Sequence, residues 1–154
     1  MLTRIGFILA LFFLIACAKK PKYADVPAIS FKSFNVINND SALMTIAFSD
    51  GNGDIGADNT QTKNLFMTYY YKDTTTNNYV AYYDNVTNDT LRVAYSIQKP
   101  SDAYKNKPIS GEISVIMGTY RHSKRIKHFK YVIYILDNAQ NKSNIVTTPD
   151  LYVP

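Results

Sequence analysis

The sequence predicts an all-β domain, a β-sandwich of about eight strands with no disulfide. Three observations carry that expectation. Aromatic residues make up 14% of the 154 residues, from 13 Tyr and 8 Phe with no Trp, and such side chains suit pleated, half-buried surfaces. Glu112 is the only glutamate among 12 acidic residues, so the residues on which helices lean are scarce, while Asp and Asn are available for turns. From residue 28 onward, short β-branched and aromatic runs alternate with clusters of Asn, Asp, Gly, Thr and Pro. The hydrophobic share of 46% and charged share of 19% are those of a folded domain with one core. A helical bundle and a two-domain enzyme are both disfavoured.

The amino terminus reads as an export signal rather than a span. Arg4 precedes an uncharged run over residues 5–18, whereas a transmembrane helix needs about 20 apolar residues and a signal core about 7–15. The end of the run, Leu14-Ile15-Ala16-Cys17, resembles the lipobox of bacterial lipoproteins. That resemblance implies a signal peptide over 1–16, lipidation at Cys17 and firm membrane attachment, since two or more acyl chains hold a protein that one chain holds only weakly. Cys17 is the sole cysteine. Residues 17–27, with Lys19, Lys20, Lys22, Pro21 and Pro27, then suit an extended tether whose lysines face anionic head groups. In lipoproteins of enteric bacteria an aspartate after the cysteine favours inner-membrane retention. Ala18 stands there instead, which points to the outer membrane.

The domain proper is expected over 28–154. Its first strands fall at 29–37 and 43–49, with Met44, Ile46 and Phe48 on one face by the period of two. A polar loop covers 50–64. Strands at 65–72 and 79–83 make a hairpin around Thr74 to Asn78, followed by a strand at 91–97 and a loop bearing Pro and Lys. The strand at 109–118 places Ile109, Gly111, Ile113, Val115 and Met117 on one side. The strand at 129–136 is apolar enough to be central, with Phe129, Tyr131, Ile133 and Ile135 opposed to Val132, Tyr134 and Leu136. The closing stretch from Tyr134 through Asp137-Asn138-Ala139-Gln140-Asn141-Lys142-Ser143 to Thr147 resembles the ending of many bacterial immunoglobulin-like domains. It implies an immunoglobulin-like or fibronectin-like sandwich, since no Cys–Trp–Cys framework occurs.

Four features bear on function. The first is Asp50-Gly51-Asn52-Gly53-Asp54-Ile55-Gly56-Ala57-Asp58. Asp50, Asn52, Asp54 and Asp58 alternate on glycine-permitted turns, which can converge oxygens on a hard cation such as Ca2+. The segment resembles an EF-hand loop at those positions, but Ile55 replaces the required glycine and Gln61 the bidentate glutamate, so a true EF-hand is excluded. It is also similar to Asp-Gly-Asp-Gly-Asp-Ile-Gly loops of uncharacterised lipoproteins of the Bacteroidota. The same residues also read as a connector whose aspartates cap their own backbone amides. Lys63 is the one nearby charge in sequence that offsets them.

The second is the basic stretch from Arg121 to Lys130, in which Arg121, Lys124, Arg125, Lys127 and Lys130 carry the charge. Export separates the chain from nucleic acid. Anionic envelope surfaces, the phosphates of lipid or lipopolysaccharide, are the partners such a segment meets, although a lysine-protected edge has the same composition. His122 and His128 are expected at the surface of this stretch. The third feature is the tyrosine set 69–71, 79, 82 and 83, where Tyr69 and Tyr71 share one face, Tyr70 takes the other, and Tyr82 opposes Tyr83. Outward tyrosines suit glycan or protein ligands; inward ones are core.

The fourth is a lack of catalytic pattern. One Glu excludes a Glu pair, the histidines lack zinc-site spacing, and no nucleophile elbow or phosphate loop occurs. The sequence therefore predicts a non-catalytic binding or structural module, lipid-anchored in the envelope, as against a periplasmic accessory subunit without its own ligand or a small hydrolase.

Overall fold

The computed structural model describes residues 22–154. The proposed signal at 1–16, Cys17 and the start of the tether lie outside the described residues. Eleven strands run in chain order: β1 Ala28–Val36, β2 Ala42–Asp50, β3 Leu65–Lys72, β4 Tyr79–Ala81, β5 Tyr83–Asp84, β6 Asp89–Thr90, β7 Arg92–Tyr95, β8 Ile109–Met117, β9 His128–Ile135, β10 Val146–Thr147 and β11 Leu151–Tyr152. A single 3₁₀ turn, Asp102–Tyr104, is the only helical element among the described residues. One sheet has the order β1-β2-β8, and a second has β10-β9-β3-β4, with β7 also on β3 and β11 also on β9. Every strand pairing is antiparallel.

The two sheets close over one core. Met44 and Ile46 of β2 and Met117 of β8 face Met67 and Tyr69 of β3 and Phe129, Tyr131, Ile133 and Ile135 of β9, all essentially excluded from solvent. Phe34 of β1 meets Phe129 of β9 edge to face with ring centres 5.8 Å apart, which is a direct contact between layers. The alternation expected for β9 holds along its whole length: Phe129, Tyr131, Ile133 and Ile135 are buried, and the residues between them are half-buried. Tyr69 and Tyr71 face inward with Tyr70 on the other side, and Tyr82 packs on the core while Tyr83 is exposed.

Where β10 is too short to complete the ladder of β9, side chains finish it. Ser143 Oγ accepts from Ile135 N at 3.0 Å, and Thr148 Oγ1 accepts from Tyr131 N at 3.1 Å. Asn144 acts between the layers, its Oδ1 accepting from Ile29 N at 2.7 Å and its Nδ2 donating to Ile29 O at 2.9 Å. Buried backbone groups must be paired, so these polar residues are parts of the sheets.

The structure departs from expectation in four places. The strand expected at 79–83 breaks at Tyr82, whose ring turns in against Tyr69 and Tyr71; β5 and β6 then form a separate small hairpin. The strand expected at 91–97 ends at Tyr95, because Asn64 takes over, accepting from Ile97 N at 2.6 Å and donating to Ile97 O at 3.2 Å. The stretch 50–64 is no free polar loop. Asp50 ends β2, and Ile55 and Ala57 are buried in bridges to Asp137 and Gln98. The tether also docks earlier than residue 28: Pro27 is buried, and Tyr23 donates its hydroxyl to Ser110 Oγ at 3.2 Å.

Candidate metal centre

Asp50, Asp54 and Asp137 meet at one end of the two sheets. Asp50 is the last residue of β2, Asp54 lies in the turn that follows, and Asp137 leaves β9. Backbone pairing fixes the meeting: Ile55 bridges Asp137, and Asn138 N donates to Asp54 O at 3.1 Å. The turn needs glycine where it does this. Gly53 sits at φ 69°, and a Cβ there would run into the carbonyl oxygens of Tyr104 and Lys107. Gly56, at φ 89°, lets the chain press against Gln98 and Lys99. Glycine reaches these positive φ values without cost, and at both positions a Cβ would collide with backbone atoms that cannot move aside as a side-chain end can.

One carboxylate oxygen from each of the three aspartates lies within 4.8 Å of the others. Asp50 is fully buried and Asp137 is 3% exposed. Asp50 Oδ2 accepts from Asp54 N at 3.0 Å, and Asp137 holds the next turn by accepting from Asn141 N at 2.7 Å and Asn141 Nδ2 at 2.9 Å. Asp50 Oδ1 and Asp54 Oδ1 are buried with no hydrogen-bond partner. No Lys, Arg or His among the described residues forms an ion pair with any of the three.

The electrostatics follow. Burial, and then the neighbouring Asp54 carboxylate, push the Asp50 carboxyl above its ordinary value. Burial, and then Asp137, do the same to Asp54. The backbone amides of Asp54 and Gly53 pull the other way on Asp50, and that of Ala139 on Asp54, without winning. Two ionised carboxylates at such a separation repel by roughly 3 kcal/mol at an effective dielectric near 20. Oxygens sharing a Ca2+ ion at 2.3–2.6 Å stand up to about 5 Å apart. The cluster can therefore hold a metal ion, and its all-oxygen donor set suits a hard cation.

The sequence-derived ligand set separates in space. Asn52 stays beside the group, its Oδ1 accepting from Asp54 N at 3.2 Å. Asp58 stands outside it as an exposed carboxylate paired with Lys99 Nζ at 3.2 Å. Lys99, which also meets Asp102 at 2.7 Å, takes the balancing role expected of Lys63. Asp137 was legible only as a turn residue, which it also is. Its signal was position: an aspartate directly after the central apolar strand.

The basic stretch is likewise divided. Lys124 is exposed; Arg121 Nη1 donates to Pro154 O at 3.3 Å; Lys130 lies over the Tyr79 ring at 4.2 Å. Arg125 and Lys127 line a cavity of about 520 Å³ with Lys72 and His128. His122 is not a surface residue. Its ring packs at 4.8 Å from that of Tyr69 and 5.7 Å from that of Tyr82, and Nε2 is buried without a partner. Burial against these rings pushes its pKa down. Of the outward tyrosines, Tyr134 is stacked on Phe66 and covered by Lys142, with the ammonium 4.0 Å from the ring centre.

Comparison with family models, with curated proteins and with solved structures finds no match to this chain.

Proposed function

We propose that the chain is a lipid-anchored envelope protein whose immunoglobulin-like sandwich is a non-catalytic binding module with one end set by Ca2+. The observation that carries the calcium reading is the pair of buried, partnerless oxygens, Asp50 Oδ1 and Asp54 Oδ1, in a group of three carboxylates with no cationic side chain. A buried charge left unpaired is strongly unfavourable, and a divalent cation removes both the repulsion and the missing contacts. Cysteine and histidine are absent from the group, which disfavours zinc. Asn52 Oδ1, backbone carbonyls and water complete the sphere.

The ion's effect is structural. It ties the turn after β2 in one sheet to the turn after β9 in the other, adding to backbone bonds such as Asn138 N to Asp54 O. The sheet orders β1-β2-β8 and β10-β9-β3-β4 support the immunoglobulin-like reading, because the long strands β1, β2 and β8 form one layer against β3 and β9 in the other. The lipid anchor rests on Leu14-Ile15-Ala16-Cys17.

A thermal melt of the full chain in non-ionic detergent, in millimolar calcium against chelator, tests the site. With affinity at the level of extracellular modules, about 10⁻⁴–10⁻³ M, calcium at ten times its dissociation constant adds about 1.4 kcal/mol to stability. Asp137→Asn should abolish that gain and Asp58→Asn should keep it. An unmoved wild-type midpoint, or equal loss in both variants, refutes this ligand set.

A further inference from the structure

We propose that the cavity between the β3–β4 turn and the segment 125–128 binds a sugar carrying a carboxylate or phosphate group. It deepens the reading of the domain as a binding module and rests on that reading, but on none of the calcium chemistry. The cavity measures about 520 Å³ and is lined by Tyr71, Lys72, Asp73 and Thr74 on one wall, and Arg125, Ile126, Lys127 and His128 on the other, with Asn77 at the turn. That volume is within the range of small-ligand sites, about 300–1,000 Å³.

Three cationic side chains converge on it from two separate elements: Lys72 from the end of β3, and Arg125 and Lys127 from the connection into β9. None of the three forms an ion pair within 4.0 Å among the described residues. Of the other cations of the stretch, Arg121 donates to the Pro154 carbonyl and Lys130 lies over the Tyr79 ring, while Lys124 is exposed outside the cavity. One acidic residue lines the cavity, and its charge is turned into its own loop. Asp73 Oδ1 accepts from Thr75 N at 3.1 Å, Thr76 N at 2.7 Å and Thr76 Oγ1 at 2.9 Å, which also holds its carboxyl below the ordinary range. His128 is turned towards Asp150, with Nδ1 at 2.7 Å from Oδ2.

The lining selects the chemistry. Arg and Lys together hold carboxylate or phosphate through charge-assisted hydrogen bonds. Tyr71 and Ile126 are half-buried, apolar walls that suit the C–H face of a sugar ring. Thr74 and Asn77 offer donors and acceptors for hydroxyls. A bare anion would leave the apolar walls and most of the volume unused. Arg125 and Lys127 are exposed at the mouth of the cavity, so a flat anionic membrane would meet them together with the exposed Lys124, whereas a ligand within the cavity depends on Lys72 of the opposite wall and not on Lys124.

The test is calorimetric titration of the full chain in detergent with glucuronate, a hexose phosphate, neutral glucose and inorganic phosphate, and a vesicle-binding assay with anionic lipid. The two charged sugars should bind with dissociation constants of about 10⁻⁴–10⁻³ M and glucose about tenfold more weakly. Lys72→Ala and Arg125→Ala, from opposite walls, should each weaken charged-sugar binding at least several-fold, and Lys124→Ala, outside the cavity, should leave it unchanged. Absence of charged-sugar binding overturns the proposal. So does inorganic phosphate binding as tightly as the hexose phosphate, anionic vesicles binding with the same dependence on Lys72, or Lys124→Ala acting like Arg125→Ala. The cavity and the aspartate group lie at opposite ends of β9, about 20–25 Å apart along the strand. Repeating the titration with Asp137→Asn thus separates failure of the calcium site, which leaves sugar binding intact, from failure of the cavity.

Discussion

Asp50 closes β2 in one sheet and Asp137 follows β9 in the other, yet their carboxylate oxygens come within 4.8 Å of each other. Both side chains are buried, and each also holds a turn, Asp50 through Asp54 N and Asp137 through Asn141. Turn-holding and cation-holding are therefore not competing accounts of the same aspartates. One oxygen of Asp50 satisfies the backbone and the other, Oδ1, is left over.

That division predicts the effect of Asp50→Asn. The amide keeps an acceptor for Asp54 N and places a donor where Oδ1 stands, facing carboxylates. In chelator the variant should melt above the wild type by about 3–5 °C, the shift expected for roughly 1 kcal/mol in a domain of this size. In calcium it should gain nothing further. A variant less stable than wild type in chelator would show that repulsion among the three carboxylates is not felt.

The pH dependence follows from the same residues. Asp50 and Asp54 have folded pKa values raised above 3.8, so the folded state binds more protons than the unfolded chain between 3.8 and the folded values. Their contribution to stability is fully present below 3.8 and is lost as pH rises through the folded pKa. Calcium competes with those protons. The calcium-induced rise in midpoint should be largest near neutrality and shrink as pH falls into the carboxylate range, which melts at matched calcium across that window will read. A calcium effect independent of pH would place the ion elsewhere.

Two buried tyrosines make a matched pair. Tyr131 donates its hydroxyl to Tyr120 O at 2.7 Å, whereas the Tyr69 hydroxyl has no partner, although the His122 backbone amide faces it short of hydrogen-bond geometry. Tyr131→Phe should cost about 0.5–1.5 kcal/mol by denaturant unfolding. Tyr69→Phe should be neutral or stabilising, since it removes a buried group that makes no bond. Equal losses in the two variants would mean that the Tyr69 hydroxyl is satisfied in solution.

Elements with a strong local pattern were legible from sequence. β3 spans Leu65–Lys72 as expected, and β9 differs by one residue at each end, because alternating bulky residues leave one register that buries the apolar set. Tyr82 was not legible as a break, since its inward turn depends on the rings of Tyr69, Tyr71 and His122 arriving from elsewhere. Two of the three aspartates of the candidate metal group were legible in the same way. Asp50 and Asp54 share a loop with a readable spacing, but Asp137 joins them only through the pairing of two turns distant in sequence. Asp58 kept the spacing and lost the site because Lys99 captures it.

Gly53→Ala tests how tightly the turn is held. The residue sits at φ 69°, and a Cβ would collide with backbone oxygens of Tyr104 and Lys107, which cannot move as a side chain end can. Strain of that kind costs of order 1–3 kcal/mol, with the collision in addition. The variant should lose at least about 2 kcal/mol and most of its calcium response together, because the turn carries Asp54. A loss of stability with the calcium response intact would detach the turn from the ion.

The remaining prediction concerns the membrane. The uncharged run at 5–18 is shorter than the about 20 residues a span requires, and no helix among the described residues is long and apolar enough to cross a bilayer. On the lipoprotein reading, attachment then depends on Cys17 and its acyl chains, each buried methylene adding about 0.8 kcal/mol. Cys17→Ser should leave a chain that is neither acylated nor efficiently cleaved, whereas the wild type should begin at a modified Cys17 and partition into detergent. The domain itself, including its calcium-dependent melt, should be unchanged by the substitution, since Tyr23 and Pro27, which fasten the tether to the domain, are kept. Intact-mass measurement on the wild-type protein from native membranes decides the matter, and an unmodified Cys17 there would falsify the anchor.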